Sequence, residues 1–229
     1  MNNIVCIIPA RKGSKGILNK NIKKLNGKEL FLYSIESAFK AGIQRVIVSS
    51  DSEEYGKIAK EYGAEFILRP SELAKDDTSM FEMLKSEIPK IEPIPEIVIL
   101  LSPTSPLRKT IQIKTAISFF LANIEKYDSL MTVQKIPDKF NPAQVLITTS
   151  QGVRMANGVP LSNRIIRRQE YPNAYVTSGG IYIFKTSNLE NGSFYGRETM
   201  LQEIEPTPDI NTLEDFQECE KLLAEQQIK

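Results

Sequence analysis

Four cations, Arg11, Lys12, Lys15 and Lys20, and two glycines, Gly13 and Gly16, fall between Pro9 and Asn21 with no carboxylate among them. Such a loop suits an anionic ligand, because glycine lets backbone N–H groups approach closely and Arg and Lys supply the charge that a polyphosphate demands. The same composition also describes a solvated basic turn. Position favours the ligand: the loop leaves the end of an apolar run, Ile4–Ile8, that reads as a first parallel strand, where open α/β sheets bind their ligands. The spacing fits neither Gly-x-x-x-x-Gly-Lys-Ser/Thr nor Gly-x-Gly-x-x-Gly, which argues against the two standard nucleotide loops.

A second chemical group lies near the other end of the chain. Asp209 and Asp215 follow a late strand, and Asp209 could hold Mg²⁺ against a polyphosphate, since that ion takes one or two protein carboxylates and completes its shell with water and phosphate. Helix capping through Asn211-x-x-Glu214 is the mundane alternative for this stretch. The 229 residues contain no histidine, which excludes Ser-His-Asp and Cys-His catalysis and every His-ligated metal. Cys6 and Cys219 are too few for a disulfide framework or metal cluster and read as buried small apolar side chains.

The elements that must place these groups follow from periodicity. Strand-like runs at Arg45–Ser50, Glu65–Leu68, Glu96–Leu101, Ser129–Gln134 and Gly179–Phe184 alternate with helical patterns at Leu30–Phe39, Glu53–Tyr62 and Thr110–Ile124. Gly42 and Gly63 stop the first two helices, and Ser79-x-x-Glu82 is a capping box opening another. Met200–Glu205 suggests an edge strand and Thr212–Gln226 a final helix. The expectation is a single α/β domain over 1–229 with a mostly parallel, Rossmann-like sheet and helices on both faces. From about 135 to 172 the alternation lapses into short β pieces, Gln144–Thr148 and Gly152–Met155, punctuated by turn signals, which predicts a small inserted β-rich subdomain.

Hydrophobic content of 41% and charged content of 25% are ordinary for a globular protein, and 29 Lys plus Arg against 28 Asp plus Glu leave little net charge. Residues 1–28 nevertheless hold seven cations and no acid, a local field better matched to a small anion than to a nucleic acid. No apolar run approaches the roughly 20 residues that span a bilayer, and no signal-peptide pattern opens the chain. The sequence reading is a cytoplasmic protein with no nucleic-acid or membrane partner.

Ile8-Pro9-Ala10-Arg11-x-Gly13-Ser14-Lys15-Gly16-Ile17-x-x-Lys20-Asn21 resembles the signature loop of the acylneuraminate cytidylyltransferases, the CMP-sialic acid synthetases. Further matches follow in family order: Ser49-Ser50-Asp51, Arg69-Pro70-x-x-Leu73-Ala74 with Asp77-Thr78-Ser79, Leu101-x-Pro103-Thr104-Ser105-Pro106-Leu107-Arg108, Arg168-Gln169 and Asp209-Ile210. The resemblance implies a nucleotidyltransferase fold with a dimerisation insertion, CTP and a 2-keto sugar acid as substrates, Mg²⁺ as cofactor and a homodimer. It places Arg11, Gly13, Ser14, Lys15, Lys20 and Asn21 on the triphosphate side, and Arg69 and Ser79 at the cytidine end. It makes Arg11, Lys20 and Asp209 the catalytic set and gives Asp209, with Asn211, the metal. Ser102, Lys139, Arg168, Ser178, Phe194 and Tyr195 would face the sugar acid, Lys139 and Arg168 through its carboxylate or the partner subunit.

Departures accompany the matches. Ser102 stands where the sialate enzymes carry Gln, Val176-Thr177-Ser178-Gly179 where they carry Arg-x-Asn-Gly, and Asn211 where they carry a second Asp. A lost guanidinium and a lost amide change discrimination strongly. They shift the expected acceptor from N-acetylneuraminate to a legionaminic, pseudaminic or Kdo-like acid, with a weaker or single metal site. Two other readings stay open: a nucleotidyltransferase of the same fold with another nucleotide or a sugar phosphate or phosphonate acceptor, and a catalytically decayed nucleotide-binding homologue.

Overall fold

Alternating side chains along β1 (Ile4–Pro9) set the layers of the structure, a computed structural model that describes residues 3–14, 16–150 and 152–227. Cys6 and Ile8 belong to one apolar cluster and Val5 and Ile7 to another, so β1 is covered on both faces. A hairpin of β2 (Lys24–Leu25) and β3 (Lys28–Glu29) then leads into α1 (Leu30–Lys40). Its turn residues Asn26 and Gly27 have φ of 47° and 79°, the left-handed pair that a tight hairpin requires. The sequence reading passed over this hairpin, although its Asn-Gly dipeptide is a direct signal.

β4 (Val46–Ser50), α2 (Glu53–Glu61), β5 (Glu65–Leu68), α3 (Met80–Glu87), β6 (Ile97–Leu101) and α4 (Thr110–Ala122) continue the alternation. β7 (Ser129–Lys135), β8 (Leu146–Thr149), β9 (Gly152–Met155), β10 (Tyr175–Lys185), β11 (Thr199–Glu203) and α5 (Leu213–Gln227) complete the chain. Seven strands form one sheet in the order β11-β7-β10-β6-β1-β4-β5. β1 pairs in parallel with β4 and β6, and β4 with β5, while β10 runs antiparallel beside β6. β11 lies at the sheet edge, as expected from sequence.

Phe31, Leu32, Ile35 and Ala38 of α1, Tyr55 and Ala59 of α2, and Ile113, Ala116 and Phe120 of α4 pack with Cys6 and Ile8 on one face. Met83 and Leu84 of α3 pack with Val5 and Ile7 on the other. All five residues of β6 are buried, and each such aliphatic side chain contributes about 1.5–3 kcal/mol by leaving water. Both cysteines are free and buried; burial pushes the Cys6 thiol up to about 12 and Cys219 to about 11, so neither is a ready nucleophile at neutral pH. Among the described residues no helix is long and apolar enough to cross a membrane.

The chain divides into two compact units, Val133–Thr177 and the remainder. Within Val133–Thr177, β8 and β9 form a separate antiparallel hairpin, and the side chain of Asn141 donates to the Pro172 carbonyl at 2.8 Å, tying the start of the unit to its end.

Candidate active site

The loop after β1 is held to the opposite end of the chain by backbone contacts rather than by composition alone. Lys20 Nζ donates to the Ile210 carbonyl at 2.6 Å, and Asn21, buried, donates from Nδ2 to the Arg11 carbonyl at 2.9 Å. A Cβ on Gly16 would lie 2.6 Å from the Asn211 carbonyl oxygen, so only glycine permits the loop to press against this segment. Gly13 differs: nothing among the described residues lies within 4 Å of its absent Cβ, so the apo packing does not demand glycine there.

A cavity of about 550 Å³ opens at this end of the sheet, bordered by Arg11, Ser14, Lys20 and Asn21 from the loop, with Arg69, Ser79, Ser102, Thr104 and Asn211 from later segments. The fold therefore gathers most of the residues expected to meet a nucleotide. Lys15 lies outside the described residues. Burial pulls the Lys20 ammonium below its ordinary pKa, and the Asp209 carboxylate opposes that shift. Arg11 donates to the Ala74 carbonyl at 3.3 Å and to Asp76 at 2.5 Å, so a phosphate entering the cavity competes with an acid for this guanidinium. Asp76 was not foreseen.

Ser79 is the N-cap of α3, accepting from the Glu82 N–H at 3.1 Å while Glu82 reaches back to the Ser79 N–H at 2.8 Å. The expected capping box is thus present, and the same residue borders the cavity. Arg69 is anchored differently. Its Nε and Nη2 donate to Ser49 Oγ at 3.0 and 2.9 Å, and Nη2 also donates to the Ser49 carbonyl at 3.2 Å. Ser49 Oγ in turn donates to the buried Glu87 carboxylate at 2.6 Å, which stands 3.4 Å from Arg69 Nε. Burial lowers the Arg69 pKa and raises that of Glu87, the attraction between them opposing both shifts.

Asp209 Oδ1 accepts from Thr104 Oγ1 and from Ser105 Oγ, the latter at 3.1 Å, and Oδ2 accepts from Asn211 Nδ2 at 3.1 Å. Asn211 does not cap the last helix: Thr212 N and Asn211 N both donate to Asp215, at 2.8 and 2.9 Å, and Asp215 N donates back to Thr212 Oγ1 at 3.2 Å. The expected Asn211-x-x-Glu214 cap is corrected to Thr212-x-x-Asp215, because a hydroxyl at 212 and a carboxylate three residues on satisfy two orphan donors at once. Among the described residues no three His, Cys, Asp or Glu side chains cluster to hold a metal ion. One carboxylate, joined to a side-chain amide that borders the cavity, fits a hard ion that would take most of its ligands from phosphate and water.

Arg108 backs this region. It is buried and donates to the carbonyls of Ser102 at 3.1 Å and Gly179 at 2.8 Å and to Ser34 Oγ at 2.6 Å. Desolvation lowers its pKa to about 10, so it remains charged at neutral pH. Sequence reading quoted Arg108 within a motif without seeing that it ties the Ser102 turn to β10.

The expected sugar-facing residues are scattered. Ser102 borders the cavity, whereas Ser178, Phe194 and Tyr195 do not. Ser178 Oγ accepts from Thr207 N at 3.2 Å, and Phe194 packs against Tyr182, Phe184 and Tyr195. Phe184 is paired with Val98 near the start of β6, whereas Ser102 follows its end, so Phe194 belongs to the far end of these strands. Within Val133–Thr177, Arg168 pairs with Asp138 at 2.5 Å and Lys139 lies over the Phe140 ring at 4.8 Å.

The family described as Cytidylyltransferase matches residues 5–226. The chain is 36% identical over 223 residues to an N-acylneuraminate cytidylyltransferase of Escherichia coli O18:K1:H7, covering 93% of this chain and 50% of that protein. It is 31% identical over 229 residues to the CMP-N,N'-diacetyllegionaminic acid synthase of Legionella pneumophila, covering 96% of each. The chain thus spans about half the length of the first relative and nearly all of the second. A solved CMP:2-keto-3-deoxy-manno-octonic acid synthetase complexed with CTP shares the fold, with a TM-score of 0.75 at 20% identity over 97% of this chain and 99% of that one.

Proposed function

The chain belongs to the cytidylyltransferase family, and on that premise we propose that it transfers CMP from CTP to the anomeric hydroxyl of a sialic-acid-like 2-keto sugar acid, releasing pyrophosphate. The observation that carries this reading is the convergence of Arg11, Lys20, Arg69, Ser102 and Asn211 on one cavity at the carboxyl end of parallel strands. The anomeric oxygen attacks the α-phosphorus, the bond from that phosphorus to the bridging oxygen breaks, and the hydroxyl proton passes to solvent. Such a step needs positioning and charge neutralisation more than covalent help. Arg11 and Lys20 supply fixed positive charge to the triphosphate, and Arg69 and Ser79 hold the cytidine end. Asp209 and Asn211 would hold Mg²⁺, which offsets charge developing on the phosphate oxygens.

A legionaminic-type or other nonulosonic acid is the favoured acceptor, supported by the Legionella relative matched over 96% of each chain and by Ser102 on the cavity wall where the sialate enzymes carry a longer amide. Lys139 and Arg168 would meet the acceptor's carboxylate or, in a homodimer, the partner subunit. A test is incubation with CTP, Mg²⁺ and a panel of legionaminic, pseudaminic, N-acetylneuraminic and Kdo acids. Pyrophosphate and a CMP-sugar are expected with at least one nonulosonic acid; silence across the panel from folded protein would count against the proposal.

A further inference from the structure

Glu87, in the last turn of α3, is fully buried, does not border the cavity and has one carboxylate oxygen without a hydrogen-bond partner. Its other oxygen accepts a hydrogen bond from Ser49 Oγ at 2.6 Å. A hydroxyl has a single proton; committing it to Glu87 turns the lone pairs of Oγ toward Arg69, where they accept from Nε and Nη2. Two edges of the guanidinium are thereby occupied. Nη1 makes no hydrogen bond among the described residues, and the Arg69 side chain borders the cavity.

From this geometry we propose that Ser49 and Glu87 are positioning residues for nucleotide affinity: they fix the Arg69 fork so that its free nitrogen is presented to the nucleotide. The inference rests on the reading of Arg69 as a nucleotide ligand. Neither residue needs to touch the ligand. The buried carboxylate also supplies the counter-charge that keeps a nearly enclosed guanidinium in place, since a buried cation without one is costly.

The test is a double-mutant cycle on CTP affinity in the intact chain, with kcat, KM for CTP and Tm measured alongside. Ser49→Ala is expected to weaken CTP binding about tenfold, and Glu87→Gln severalfold, through KM with kcat little changed. Introduced into Arg69→Ala, each should weaken CTP binding no further. Losses that simply add to that of Arg69→Ala, or a fall in Tm with unchanged CTP affinity, would overturn the positioning role. If Glu87→Gln fails to fold, the Ser49→Ala arm decides alone. A folded wild-type chain that takes up no CTP overturns the nucleotide reading together with this inference, whereas additive losses in a CTP-binding chain overturn this inference alone.

Discussion

Arg69 reaches the cavity with its side chain only 6% exposed and every anchoring bond made inside the protein, while Arg167 and Arg168 stand 79% and 72% exposed on the 133–177 unit, each with one carboxylate neighbour among the described residues. The guanidinium is the same; the surroundings differ. An anchored cation has already lost its side-chain freedom and its water, so a nucleotide gains from it without that cost. An exposed pair of the kind made by Arg167 and Glu170 is screened and contributes about 0–1 kcal/mol. The 133–177 unit also leaves Ile166 81% and Leu146 55% exposed.

That contrast can be broken in several places. Arg11→Ala should lower turnover about 10³-fold, the loss expected for one preorganised transition-state donor, with Tm nearly unchanged because the side chain is partly exposed. An equal loss of stability and turnover would make Arg11 structural. Gly16→Ala should cost about 10²-fold in turnover, since a Cβ 2.6 Å from the Asn211 carbonyl must push the loop away from that segment. Near-normal activity would show that the loop accommodates the methyl group freely.

Smaller effects sharpen the same contrast. Glu87 has its pKa raised above the ordinary 4.5 by burial, with Ser49, Arg69 and Lys90 opposing. The folded state therefore holds this proton at pH values where the unfolded chain has lost it, so stability falls as pH rises through that window. Wild-type stability relative to Glu87→Gln should thus rise as pH falls toward 4.5 and be flat below; denaturant melts at a series of pH values would reveal a flat or opposite trend. Arg167→Ala should change stability by less than about 0.5 kcal/mol and leave CTP binding intact. A large loss of CTP binding there would erase the distinction between the two sets of arginines.

Much of the frame was legible because its physics is local. Runs such as Ile97–Leu101 and helix signals such as Ser79-x-x-Glu82 depend on neighbours in sequence, and they formed where periodicity placed them. The loop after β1 was legible as chemistry because cations and glycines cluster there. What stayed hidden was contact at a distance. Nothing near Glu87 says that it will meet Ser49 and Arg69, and nothing near Arg108 says that it will donate to the Gly179 carbonyl of β10. The family resemblance put Phe194 and Tyr195 beside the sugar acid, yet the Phe194 ring packs against Tyr182 and Phe184 of β10, contacts that depend on which strands fold side by side.

The most direct measurement is the stabilisation that CTP confers on three chains, the wild type, Arg11→Ala and Arg167→Ala, because a ligand bound only by the native state raises Tm by an amount that grows with the logarithm of its concentration over Kd. CTP should raise Tm equally for the wild type and Arg167→Ala, and far less for Arg11→Ala. Equal shifts in all three, or none in any, would contradict the claim that the anchored cations after β1 carry the nucleotide.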